Sequence, residues 1–219
     1  SPDASKLTRA GVLEALGHSF FTLSLGMDKQ ANGWTFAPNA FYSQGRNDRP
    51  DHLELWTTSV PIGGASAGGG LAAGVTLKAR DLGGPTLAGQ LLIYPMIDDR
   101  NETVSSRQVD GFGVWDRGSN DTGWDALLGD RRKTDAVSIY AAPARATDLT
   151  NLPPAFIDVA SAEVFRDEDV AYAARIWEQG GIAELHVWPG GFHGFDAMAP
   201  QAGLSLRARA ARLDWLRRI

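Results

Sequence analysis

Behind residue 60 the chain alternates between apolar runs of strand length and longer stretches of helical period, with glycine and proline at the joints. Ser66–Arg80 reads as a helix, with Leu71, Val75 and Leu77 expected among its buried residues. Its glycines at 69, 70 and 74 are poor helix formers and imply close packing against a sheet. Gly89–Tyr94 and Pro154–Ala160 read as short buried strands. Asp169–Gln179 carries a helical pattern that Gly180-Gly181 ends, and Ala183–Trp188 reads as another strand. Leu206–Ile219 predicts a terminal amphipathic helix with Leu213 and Leu216 inward and arginines outward. Residues 97–150 form an insertion between strands, rich in Asp, Gly and aromatic residues.

The front of the chain reads differently. Leu7–Leu16 has a short helical pattern, but residues 1–61 show no clear strand alternation. Phe36–Leu55 is polar and broken by Pro38, Gly45, Pro50 and several Asn and Asp residues. Pro61 stands just before the central glycine run, where it would remove a ladder hydrogen bond. The expected organisation is therefore a segment 1–61 of unclear structure followed by a main portion, 62–219.

The strongest chemical signal is Gly64-Ala65-Ser66-Ala67-Gly68, a GxSxG pentapeptide at the junction of a strand and a helix. A strand that turns sharply into a helix at a serine needs very small neighbours two residues before and after, because the two elements pass so closely. The serine hydroxyl then stands exposed at a helix N-terminus, near unpaired backbone N–H groups. A glycine-rich loop with an incidental serine is the plain alternative. A Ser-acid-His hydrolase on an α/β sheet needs its groups in that chain order, with the acid after a late strand and the His after the last. Both occur here. Glu163, Asp167 and Asp158 are the acids in range, and Pro189-Gly190-Gly191-Phe192-His193-Gly194-Phe195 supplies a His in a glycine-rich loop. His18 and His52 read as surface or loop residues, and His186 as a half-exposed strand histidine.

Further runs share this wording. They are Gln90-Leu91-Leu92-Ile93-Tyr94-Pro95, Tyr140–Arg145 with Asp148-Leu149, Leu152-Pro153-Pro154, and Phe165-Arg166-Asp167-Glu168. Over about residues 62–219 the chain resembles the hormone-sensitive-lipase-like family of α/β-hydrolase carboxylesterases. The resemblance implies an α/β-hydrolase fold, with a mostly parallel sheet flanked by helices and a front shortened or altered relative to the family. It assigns Ser66 as nucleophile, His193 as general base and Glu163 as the acid that orients the imidazole, a position where the family more often has Asp. Asp167 is the alternative acid; its expected role is to cap the helix it precedes. Asp158, inside a strand, is the weaker candidate. The Ala67 N–H is the expected oxyanion donor. The family's second donor comes from an HGGG-type run, which residues 1–61 lack. The resemblance implies a small-molecule ester substrate and no cofactor. Phe112, Trp115 and Trp124 are expected to line the pocket or simply to pack. A non-catalytic ligand-binding protein and a peptidase or amidase are the alternative functions.

Composition narrows the rest. The chain has 219 residues, 43% apolar and 21% charged, the profile of one globular domain. A net charge of −5 argues against nucleic acid as a partner. There is no cysteine, so disulfides and thiol chemistry are excluded. No metal-ligand spacing such as HExxH occurs. No apolar run approaches the roughly eighteen residues of a membrane span, and the start lacks a signal-peptide pattern. A cytoplasmic location is the expectation, and a homo-oligomer is left open. Asn101-Glu102-Thr103 and Asn120-Asp121-Thr122 match the glycosylation pattern, and Arg131-Arg132-Lys133 reads as a solvated turn.

Overall fold

Six strands build one sheet: β1 (Phe20–Gln30), β2 (Gly33–Ser43), β3 (Val60–Ala65), β4 (Leu87–Ile93), β5 (Ala155–Ala162) and β6 (Ala183–Phe192). Their spatial order is β2-β1-β3-β4-β5-β6. The structure, a computed structural model, describes residues 20–30, 33–43 and 60–219. Leu7–Leu16, His18 and His52 lie outside the described residues. β1 and β2 pair antiparallel, from Phe20↔Ser43 to Gln30↔Gly33, and every other neighbouring pair is parallel. The front therefore departs from the sequence reading: two strands stand where no alternation was recognised, and β1 joins the sheet beside β3. Pro38 is tolerated because β2 is an edge strand, with no neighbour to bond along one side. Pro61 is tolerated because the register of β3 against β4 shifts between Val60 and Ile62, where the ladder is already interrupted.

Among the described residues six helices flank these strands: α1 (Ala67–Asp81), α2 (Val104–Gln108), α3 (Arg117–Leu128), α4 (Arg166–Glu178), α5 (Phe195–Met198) and α6 (Gly203–Arg218). α1 connects β3 to β4 and α4 connects β5 to β6, which are the crossovers that parallel strands require. The main core gathers Ile62, Leu77, Leu92, Ile157, Tyr172 and Ile176 from these two helices and the sheet. Burial along β5 is continuous from Ala155 to Ala160, as expected for a strand covered on both faces.

α1 lies on the chain through its glycines rather than its large side chains. A Cβ on Gly70 would overlap the Met96 carbonyl, and one on Gly74 would overlap the Tyr140 carbonyl. Close approach therefore offsets the poor helix propensity of these residues. Of the three expected core residues only Leu77 is fully buried; Val75 is 38% exposed. In α3, inside the insertion, the Asp116 side chain caps the first turn by accepting from Ser119 N at 2.8 Å.

Two surface readings are revised, that of Arg132 and that of the last helix, and two asparagines that match a glycosylation pattern prove buried. Asn101 and Asn120 are fully buried and hydrogen-bonded to each other, Asn120 Nδ2 donating to Asn101 Oδ1 at 3.0 Å. Neither is a glycan acceptor in the folded chain. Arg132 is no solvated turn residue, since it pairs with Asp121 and Asp125 and donates to the Asp99 carbonyl. In α6 the inward stripe is Ser205, Ala208, Arg212 and Trp215, and Leu213 and Leu216 are only half-buried. No helix among the described residues is long and apolar enough to cross a membrane.

Candidate active site

The sharp turn between β3 and α1 places Ser66 at φ 57° and ψ −125°, a conformation that a non-glycine residue rarely adopts. Its backbone is held on both sides: Ser66 N donates to Ile93 O at 2.9 Å, and Ser66 O accepts from Gly70 N at 3.1 Å and Met96 N at 3.0 Å. The small neighbours are required, because a Cβ on Gly64 would overlap the Gly68 carbonyl group. The bond from Gly70 to Ser66 is the first of α1. The N–H groups of Ala67, Gly68 and Gly69 thus have no partner within the helix, and no side chain caps them.

Glu163 follows β5, and His193 follows β6. The His193 Nδ1 and Glu163 Oε1 atoms are 2.7 Å apart, with the Glu163 side chain fully buried and the His193 side chain 12% exposed. Burial pushes the Glu163 carboxyl above its ordinary value, and the adjacent imidazole opposes that rise. Two aromatic rings meet the imidazole edge-on: Tyr94 at 5.0 Å and Phe165 at 5.4 Å between centroids. Trp115 lies 6.1 Å away at a tilt, its indole N–H directed to Asn120 Oδ1 at 3.4 Å.

Ser66, Ala67 and His193 border one cavity of about 570 Å³. Ser66 and His193 share no hydrogen bond here; the hydroxyl and the imidazole face a common space, and such contacts often close only around a substrate. Away from the elbow the lining includes Val114, Trp115, Trp124 and Leu127, and among the described residues no Asp, Glu, Lys or Arg lines the cavity. Of the three aromatics expected at the pocket, Trp115 and Trp124 line it, while Phe112 is 62% exposed and does not. The sequence reading missed Val114 and Leu127 in this lining and the Tyr94 and Phe165 rings against His193. Their proximity depends on contacts across the fold that no local pattern carries.

The other acids are engaged elsewhere. Asp167 accepts from Ser105 N at 2.7 Å and from Arg166 Nε at 2.8 Å. It caps α2 rather than its own helix. Asp158 is buried and accepts from Arg212 Nε at 2.7 Å and Trp188 Nε1 at 3.0 Å. His186 is half-buried between the rings of Phe156 and Trp188 and pairs with Glu184 at 2.9 Å. Among the described residues no three His, Asp or Glu side chains form a group that could hold a metal ion.

Two further carboxyls lie buried in the first turn of α4. Glu168 Oε1 accepts from Ile97 N at 3.0 Å and Asp98 N at 3.1 Å, while neither oxygen of the fully buried Asp169 has a partner among the described residues. Burial pushes Asp169 well up, and the nearby Glu168 pushes it further. A carboxyl raised by folding contributes stability at low pH, and that stability is lost as pH rises through the folded value. Unfolding of the wild-type chain should therefore become easier above about pH 4, the ordinary carboxyl range. Asp169→Asn should flatten this slope: urea midpoints equal to wild type near pH 4 and higher near pH 8. Identical midpoints at both pH values would show that Asp169 is ionised in the native state at no cost.

The comparisons with known proteins bear on the family and the fold. A family model described as alpha/beta hydrolase fold matches residues 38–197. The esterase LipI of Mycobacterium tuberculosis is 31% identical over 154 residues, covering 65% of this chain and 45% of its own length. The solved structure of a bacterial heroin esterase superposes with a TM-score of 0.70 at 45% identity, covering 72% of this chain and 50% of the esterase. The gibberellin receptor GID1A of Arabidopsis thaliana is also similar, 28% identical over 126 residues, 57% of this chain and 36% of the receptor. The chain spans about half the length, or less, of these relatives.

Proposed function

Since the chain belongs to the hormone-sensitive-lipase-like family of α/β hydrolases, we propose that it hydrolyses carboxylic esters by acyl transfer through Ser66. The observation that carries this reading is the buried Glu163–His193 pair at 2.7 Å, facing the cavity that the strained Ser66 enters. Glu163 holds the Nδ1 proton, which leaves Nε2 free to act as general base. The Ser66 hydroxyl attacks the ester carbonyl and passes its proton to His193. The Ala67 N–H, unpaired at the start of α1, donates to the developing oxyanion. His193 then returns the proton to the departing alcohol. Water repeats the sequence on the acyl-enzyme and restores the serine. An HGGG-type run, the family's source of a second oxyanion donor, is absent from residues 1–61, so Ala67 is the one donor assigned.

The described lining is dominated by apolar residues, among them Val114, Trp115, Trp124 and Leu127, which favours a substrate whose enclosed group is uncharged and apolar. A location in the cytoplasm remains part of this proposal. Esters are favoured over amides because LipI and the heroin esterase are named esterases.

A fluorophosphonate probe tests the reading. The Ser66 oxygen forms a bond to phosphorus, fluoride leaves, and the hydroxyl proton passes to His193. One equivalent of label on the peptide containing Ser66 is expected. A folded protein that takes no label would instead be a ligand-binding shell, the reading that similarity to a named receptor favours.

A further inference from the structure

We infer that Arg212, on α6, is a positioning residue that fixes the loop and the ring against which His193 rests. The inference builds on the acyl-transfer reading above. Arg212 is only 6% exposed, although it lies on the surface helix α6. Burying a guanidinium is costly unless its charge is met. Here it is met twice: Nε donates to Asp158 Oδ2 at 2.7 Å, and Nη1 donates to Asp196 Oδ2.

These two carboxylates belong to the segments that set the site. Asp158 lies within the buried part of β5, and its carbonyl accepts from Tyr94 N at 2.6 Å. Asp196 lies three residues after His193, and its other oxygen accepts from the Tyr94 hydroxyl at 2.9 Å. The Tyr94 ring meets the imidazole edge-on, and the Arg212 guanidinium lies 5.8 Å from the same ring. A closed circuit thus runs from α6 to β5, to the end of β4, to α5 and back. Burial alone would raise Asp196, but the attraction and hydrogen bond of Arg212 bring it below the ordinary carboxylate range.

The imidazole needs such a clamp. Gly190 and Gly194 flank His193 at φ 77° and 72°, with open space where a Cβ would be. The backbone is tied at both glycines, Gly190 N donating to Ser161 Oγ at 2.8 Å and Gly194 O accepting from Ala197 N and Met198 N at 3.0 Å, and the imidazole between them takes its support from side chains. Glu163 fixes one edge of the imidazole, and the Arg212 circuit fixes the face and the loop beyond it.

The test compares wild type with Arg212→Gln, Arg212→Lys and Tyr94→Phe. Turnover of p-nitrophenyl butyrate per fluorophosphonate-titrated site is one readout. The low-field NMR signal of the His193 Nδ1 proton is the other, and it needs no turnover. Arg212→Gln should lower kcat by about ten- to a hundredfold, the cost of a small misplacement, with KM little changed, and should broaden the Nδ1 signal. Arg212→Lys, able to reach one carboxylate, should recover part of the loss. Tyr94→Phe keeps the ring and removes one hydroxyl, so it should act in the same direction more weakly; it carries the test if Arg212→Gln does not fold. A merely structural Arg212 would lower the melting temperature while leaving kcat per titrated site and the Nδ1 signal unchanged, and that result overturns the inference. Absence of wild-type turnover with a Nδ1 signal that still responds to Arg212→Gln would defeat the esterase reading alone.

Discussion

Replacing Ser66 with alanine should lower kcat for p-nitrophenyl butyrate by about 10⁶-fold, with KM little changed. The serine oxygen is the bond-forming atom in the proposed reaction, and alanine leaves nothing for His193 to activate. The elbow itself should survive, since its close contacts come from Gly64 and Gly68 rather than from the hydroxyl. His193→Ala should cost about as much, and the double variant little more, because the two groups act as one unit. Residual catalysis of about 10³-fold over water would be attributed to substrate binding and the oxyanion donor. The measurement is single-turnover hydrolysis with each protein purified free of host esterases. Turnover of Ser66→Ala above about one per cent of wild type would place the nucleophile elsewhere.

Glu163→Gln should lower kcat by about 10³- to 10⁴-fold at neutral pH. The amide can present an N–H to Nδ1, which favours the tautomer with its proton on the wrong nitrogen. It also cannot stabilise the imidazolium that forms. Glu163→Asp keeps the charge but withdraws it by one methylene, so an intermediate loss is expected. Asp167→Asn provides the contrast. Asp167 is occupied by Ser105 and Arg166, and its loss should destabilise the α2–α4 contact while changing kcat only a few-fold. If Asp167→Asn were the crippling variant and Glu163→Gln active, the acid has been misassigned. The comparison is made from kcat at several pH values on samples of equal titrated serine content.

Much of this site was legible along the chain. The GxSxG run, the acid after β5 and the histidine after β6 each carry local signals, since small residues, strand ends and glycine loops are written in consecutive positions. What was not legible depends on residues far apart. Arg212 looked like one more outward arginine of an amphipathic helix; its burial is set by Asp158 and Asp196, 54 and 16 residues away. Two asparagines matched an acceptor pattern, yet both are buried, Asn120 Nδ2 donating to Asn101 Oδ1 and Asn101 Nδ2 donating to Arg117 O and Asp121 Oδ1. Glycines marked close packing in α1 correctly, but which large residue points inward follows from helix rotation, and Val75 falls on the wrong side. The β1–β2 hairpin is a different kind of miss. Phe21, Leu23, Leu25 and Met27 alternate with Thr22, Ser24, Gly26 and Asp28, so the strand period was present and passed over. Pro38 obscured the second strand because proline argues against strands in general and not against those at an edge.

The glycine seam of α1 has a consequence for how such a protein can change its taste. On that side Gly70 lies directly on the Met96 carbonyl, so a carbon added there collides, while Leu71 and Met96 bring side chains to the same lining. Away from the elbow the lining holds removable side chains, Val114, Trp115 and Leu127. Whether by drift or by deliberate redesign, the repertoire of accepted molecules can be retuned from that margin, while Gly64 and Gly70 beside the serine admit no larger residue.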